Sequence, residues 1–112
     1  MAKRPTLLDV FEAKRRIGPY ATRTPLHHYH SLDRLIGAEV HVKHENHQAL
    51  GSFKIRGALN VLAQLGGEEL GRGVVVATSG NFGQGIAYAA AAFGTTAHVV
   101  VPRDANPGKV ES

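Results

Sequence analysis

The chain has 112 residues, of which 43% are hydrophobic and 20% charged, with a net charge of +4 and no cysteine. That length and balance give one domain at most, with a modest core, and exclude disulfides, thiolate zinc sites and cysteine nucleophiles. No apolar run approaches the roughly 20 residues of a membrane helix, and Met1-Ala2-Lys3-Arg4-Pro5 lacks the apolar segment of a secretory signal, so a cytoplasmic protein without a membrane partner is expected.

Residues 6–17 read as a first helix. Thr6 and Asp9 are spaced as a capping box, Leu7, Val10, Phe11 and Ile17 share a face, and Gly18-Pro19 ends it. Residues 20–30 read as a loop pinned by Thr24-Pro25. Ser31 is placed to cap a short helix through Ile36, stopped by Gly37. Residues 39–43 alternate as a strand, with Val40 and Val42 on one face. A helix over about 53–65 follows, with Ile55, Ala58, Leu59, Leu62 and Leu65 at helical spacing.

Gly66, Gly67, Gly71 and Gly73 then read as a linker able to act as a hinge. A buried strand at 74–77, a helix over about 82–93 with Gly94 as its C-cap, and a strand at 97–101 complete the pattern. Strand, helix and strand at these lengths form a βαβ unit, so parallel pairing and a right-handed crossover are expected. A further helix is expected to begin near Pro107.

Two segments carry chemistry. The first is Gly51-Ser52-Phe53-Lys54-Ile55-Arg56-Gly57. With Ser52 as N-cap, Lys54 lies about two residues into a helix, where the positive end of the dipole works against its ammonium form. Arg56 adds a second positive charge and apolar neighbours limit solvation. A lysine so placed becomes a nucleophile for carbonyl carbon, as a Schiff base requires. A capped amphipathic helix that begins with a solvated lysine fits the same residues.

The second is Thr78-Ser79-Gly80-Asn81-Phe82-Gly83-Gln84-Gly85, between a parallel strand and a helix. Ligands of open α/β sheets bind at such carboxyl ends of strands, where glycines admit the backbone and exposed N–H groups favour an anion. A tight turn capped by Ser79 or Asn81 reads equally from these residues. The glycines run G-x-x-G-x-G, which is not a dinucleotide fingerprint, and no lysine follows as in a P-loop.

Neither His27-His28-Tyr29-His30 nor His44-Glu45-Asn46-His47 matches H-E-x-x-H, so the histidines are assigned to the surface and no metal site is expected. The basic residues form no stripe with interleaved aromatics, and Lys14-Arg15-Arg16 suits the last turn of a helix. Nucleic acid is therefore not an expected partner. A basic surface that attracts an anionic cofactor and a carboxylate substrate is.

Together, the segment from Glu45 to Ala58 and the segment from Thr78 to Gly85 resemble the threonine/serine dehydratase and serine racemase branch of the fold-type II pyridoxal-phosphate (PLP) enzymes. The likeness runs from Arg23-Thr24-Pro25-Leu26 to Val101-Pro102-Arg103-Asp104-Ala105. It implies an α/β fold, with a parallel sheet flanked by helices, as the N-terminal piece of a two-domain enzyme. Residues 1–66 would belong to the larger cofactor domain and 67–112 to the start of the smaller mobile one. It implies PLP as cofactor, a small amino-acid substrate and a homo-oligomer as the complete enzyme.

By the same resemblance Lys54 matches the lysine that carries the cofactor and removes the substrate Cα proton, and Phe53 the aromatic packed on its ring. Asn81 matches the asparagine bonded to its phenolic oxygen. Ser79, Gly80, Asn81, Phe82 and Gly83 match the loop whose N–H groups hold the substrate carboxylate. Ser79 stands where serine racemases have serine, opposite Lys54, as a second acid/base or simply a cap hydroxyl.

The implied reaction is β-elimination of L-threonine or L-serine to a 2-keto acid and ammonia, with amino-acid racemisation and a non-catalytic truncated module as the alternatives. Some family members bind a divalent cation, through residues downstream of residue 112. Departures are Phe82 for the usual histidine, His44 and His47 for leucine-like residues, and Ala49-Leu50 for Pro-Thr. The family's phosphate loop and its pyridine-nitrogen partner would fall beyond residue 112, so the chain is expected to be a fragment inactive alone.

Overall fold

The computed structural model describes residues 4–103 and Gly108. Helix α1, Leu7–Ile17, begins with the expected capping box: Thr6 Oγ1 accepts the Asp9 N–H at 3.3 Å, and Asp9 Oδ2 accepts the Thr6 N–H at 2.6 Å. Only Ile17 of this helix is buried. Strand β1, Leu26–His28, falls inside the expected loop and pairs antiparallel with β2, His41–Lys43, placing Leu26 opposite Lys43 and His28 opposite His41. Three residues span too little of a strand's two-residue period to register in a sequence pattern.

Helix α2, His30–Ile36, lies between these strands. Ser31 does not cap it. Tyr29 precedes the helix, and its carbonyl accepts the N–H groups of Leu32 and Asp33. Gly37 ends it as expected, at φ 77°, a conformation that costs glycine nothing. A 3₁₀ turn at Glu45–His47 leads to helix α3, Lys54–Leu62. The last expected turn of α3 tightens, because Gln64 and Leu65 donate to Val61 and Leu62, three residues back.

The glycine-rich linker is in fact a helix, α4, Gly67–Arg72. Glu69 supplies what the glycines lack, since its carboxylate accepts the Gly66 N–H at 2.8 Å. Glu68 and Glu69 in the first turn and Arg72 in the last complement the helix dipole. Gly73, at φ 80°, turns the chain into strand β3, Val74–Ala77.

Helix α5, Asn81–Phe93, crosses over to β4, Ala97–Val100, which pairs parallel with β3 as expected. The strand read as buried is half-covered: Val74 and Val76 face the core, while Val75 is 73% exposed. The helix expected near Pro107 lies outside the described residues.

The core sits between α3 and α5. Ile55, Ala58, Leu59 and Leu62 of α3 meet Ile86, Ala89 and Ala90 of α5, with Ile17 at the edge. Ile55, Leu59 and Leu62 are fully buried, each stabilising the fold by about 1.5–3 kcal/mol. The alanines of α5 let the two helices approach closely, so this packing fixes the first turn of α3 relative to the start of α5.

Candidate functional site

Lys54 is the first residue of α3, one position nearer the cap than the sequence suggests. Ser52 is buried, and its Oγ accepts the Lys54 N–H at 3.3 Å, so the serine holds the turn although Phe53 occupies the cap position. The Lys54 side chain is exposed rather than enclosed by apolar neighbours, and its Nζ lies 5.0 Å from the centre of the Phe53 ring. That ring is 58% exposed. Among the described residues Lys54 Nζ forms no ion pair or hydrogen bond. An amine and a flat apolar ring stand side by side, open to a ligand.

The second positive charge expected to act on Lys54 is neutralised. Arg56 grips Glu45 with both arms, Nε to Oε2 at 2.8 Å and a terminal nitrogen to Oε1 at 2.9 Å. Glu45 also accepts from Thr24 Oγ1 at 2.6 Å and from Gln48 Nε2 at 3.2 Å. These donors, led by the guanidinium, hold the Glu45 carboxyl at about 2 and push Arg56 upward.

Gln48 is buried. It closes the network on the backbone of Thr22, taking the N–H at 3.1 Å and giving an N–H to the carbonyl at 2.8 Å. Arg56 therefore anchors the first turn of α3 to the 22–25 segment, the structural role that suits it. Sequence reasoning did not foresee Glu45 or Gln48, whose one signal is an acid in the loop preceding a helical arginine.

The 79–83 turn joins β3 to α5. Gly80 caps α5, and no side chain does, so neither Ser79 nor Asn81 is a cap. The Gly80 N–H reaches Thr78 Oγ1 at 3.4 Å, and the Gly83 N–H reaches the Gly80 carbonyl at 3.0 Å. Within the described residues no hydrogen bond takes up the N–H groups of Ser79, Asn81 or Phe82, nor the Ser79 hydroxyl. Ser79 is exposed, Asn81 half-buried, and Phe82 packs against the core.

Two glycines are required by packing. A Cβ on Gly83 would stand 2.8 Å from Thr78 Cγ2 and 2.9 Å from Val99 Cγ1. A Cβ on Gly85 would stand 3.3 Å from both Ala58 Cβ and the Lys54 carbonyl oxygen. Through Gly85, α5 rests on the backbone of the lysine turn. Lys54 and Phe53 are thus brought together with the start of α5, although no hydrogen bond among the described residues links them to the 79–83 turn.

Residues 17–112 match the family described as pyridoxal-phosphate dependent enzyme. The chain belongs to that family. It is 47% identical over 105 residues to an L-threonine ammonia-lyase of Thermotoga maritima, covering 94% of this chain and 26% of that protein. It is 43% identical over 107 residues to a serine racemase of Dictyostelium discoideum, covering 96% of this chain and 33% of that one. The structure of maize serine racemase superposes with a TM-score of 0.87 at 43% identity, covering 91% of this chain and 31% of that one.

The fold is that of the N-terminal portion of fold-type II PLP enzymes. The chain spans about a quarter to a third of the length of the curated relatives it matches. Relatives in this family include both ammonia-lyases and racemases of amino acids. The donor set fits PLP: an exposed amine, an exposed aromatic ring beside it, an amide side chain and three N–H groups, with the amine and the N–H groups unpartnered among the described residues.

Proposed function

We propose that this chain supplies the lysine and the carboxylate-binding turn of a PLP enzyme that eliminates water from L-threonine or L-serine, the unsaturated product then taking up water to give a 2-keto acid and ammonia. The observation that carries the reading is the seating of α5, through Gly85, on the lysine turn, beside a strand-to-helix turn whose N–H groups at Ser79, Asn81 and Phe82 have no partner among the described residues. Lys54 Nζ, Phe53 and the Asn81 amide would hold the cofactor. Bound there, PLP supplies the electron sink that stabilises negative charge at the substrate Cα.

The protein groups do the rest. The N–H groups of Ser79, Asn81 and Phe82, in a turn shaped by Gly80 and Gly83, bind and orient the substrate carboxylate. Lys54 Nζ takes the Cα proton. Phe82, where relatives usually carry histidine, covers the inner side of the turn with an apolar ring. Residues 1–66 are assigned to a cofactor domain and 67–112 to the start of a smaller one, within a longer cytoplasmic homo-oligomer.

Racemisation is the second reading, favoured by one observation: the exposed Ser79 hydroxyl has no hydrogen-bond partner among the described residues and is available as a second acid/base. The test uses a polypeptide of the relatives' full length that carries this chain. Lys54→Ala is expected to abolish both the visible absorbance of the cofactor and turnover of L-serine and L-threonine; unchanged absorbance would overturn the lysine assignment. Ser79→Ala separates the two readings. It should leave 2-keto acid formation within a few-fold if elimination is the reaction, and remove D-serine formation if racemisation is. The 112-residue chain alone is expected to show no turnover.

A further inference from the structure

The histidines read as surface residues are not scattered. His28 ends β1, while His30 and Asp33 lie one turn apart on α2 and so face the same side. His28 Nε2 is 2.6 Å from Asp33 Oδ2, and His30 Nδ1 is 3.4 Å from the same oxygen. One ligand atom from each residue falls within 4.8 Å of the others. The remaining Asp33 oxygen, Oδ1, accepts the Val40 N–H at 2.7 Å, which fixes the carboxylate and leaves Oδ2 aimed at the two imidazoles. The His28 ring is steadied from behind by His41, stacked at 5.0 Å, whose Nε2 is tied to Glu39 at 2.6 Å.

We propose that His28, His30 and Asp33 form a binding site for a divalent transition-metal ion of the Zn2+ class, clasping α2 to the end of β1. Two imidazoles and one carboxylate are a donor set that such borderline ions prefer, and Ca2+ or Mg2+ would find too few oxygens. Zinc–nitrogen and zinc–oxygen bonds of about 2.0–2.2 Å place tetrahedral ligand atoms roughly 3.3–3.6 Å apart. The 2.6 Å His28–Asp33 contact therefore opens slightly as the ion replaces the shared proton. His30, 81% exposed, has the freedom to close the remaining distance, and water completes the coordination. The site shares no residue with the Lys54 site and stands whatever reaction that site performs.

The test titrates the tag-free 112-residue chain with Zn2+ against a chromophoric chelator. One ion per chain is expected, and His28→Ala, His30→Ala and Asp33→Asn should each weaken binding on the order of tenfold or more. His47→Ala, which removes a histidine stacked on His44 at 5.3 Å, should leave binding unchanged. Because His28 also pairs in β1, circular dichroism accompanies every variant. Ring resonances of the unsubstituted chain decide the matter if one fails to fold: those of His28 and His30 should move on Zn2+ addition and that of His98 should not. No binding at millimolar Zn2+, equal binding by the three variants, or ring shifts led by His44 and His47 would each overturn the site.

Discussion

At the scale of single residues, Gly83 is required by packing alone, with no help from an unusual backbone angle. Its Cα faces two β-branched side chains, and a methyl group there would sit 2.8 Å from Thr78 Cγ2 and 2.9 Å from Val99 Cγ1. Neither neighbour can yield easily, because a β-branched residue in or beside a strand has little freedom about χ1. Gly83→Ala should therefore lower stability by about 2 kcal/mol, read as a shift of the urea midpoint at constant slope. Adding Thr78→Ser, which deletes one of the clashing methyls, should recover part of that loss. Full stability in the single variant would mean that α5 stands further from the sheet than this packing requires.

At the scale of elements, α3 owes its position to two kinds of contact. Its apolar face packs on α5, and its first turn is tied by Arg56 to Glu45 and by Glu45 to Thr24 and Gln48. Glu45 is only 18% exposed and its carboxyl is held at about 2, below an ordinary 4.5. A depressed carboxyl contributes stability that is complete above its unfolded value and is lost as pH falls from about 4.5 through about 2. Glu45→Gln should cost on the order of 2 kcal/mol at neutral pH. The gap between parent and variant should then narrow across that acid window. A gap that stays constant down to the lowest pH would show that the ion pair does not fix α3.

The same elements show what sequence carries. The long periodic segments α1, α3 and α5 and the valine run of β3 were legible because each repeats its pattern several times. The three-residue β1 has no room for a period and exists only through its pairing with β2. Helix α4 is built on glycines that argue locally for a linker, and it is decided by two glutamates and a cap. At the site, Lys54, Phe53 and the 79–83 turn could be recognised from their order. The Glu45 partner of Arg56 and the contact of Gly85 with the Lys54 backbone join residues that only folding brings together.

At the scale of the whole molecule, the chain is open. Its radius of gyration is 16.7 Å, against roughly 13 Å for a compact domain of this length. Helix α1 shows why: Leu7, Leu8, Val10 and Phe11 are 70%, 66%, 57% and 58% exposed, and the helix is held by Ile17 and by the 3.3 Å hydrogen bond from Arg16 to Asn60. Four large apolar side chains over two adjacent turns exceed the scattered exposure ordinary for a monomer, and such a patch favours association. Two substitutions on one helix separate folding from association. Ile17→Ala should cost about 2 kcal/mol, since it empties a position at the core edge. Phe11→Ser should change stability by less than about 0.5 kcal/mol while lowering the concentration-dependent light scattering of the chain. If F11S instead unfolds as readily as I17A, the apolar stripe of α1 is packed within the chain, and the openness that sets it free is not a property of the protein in solution.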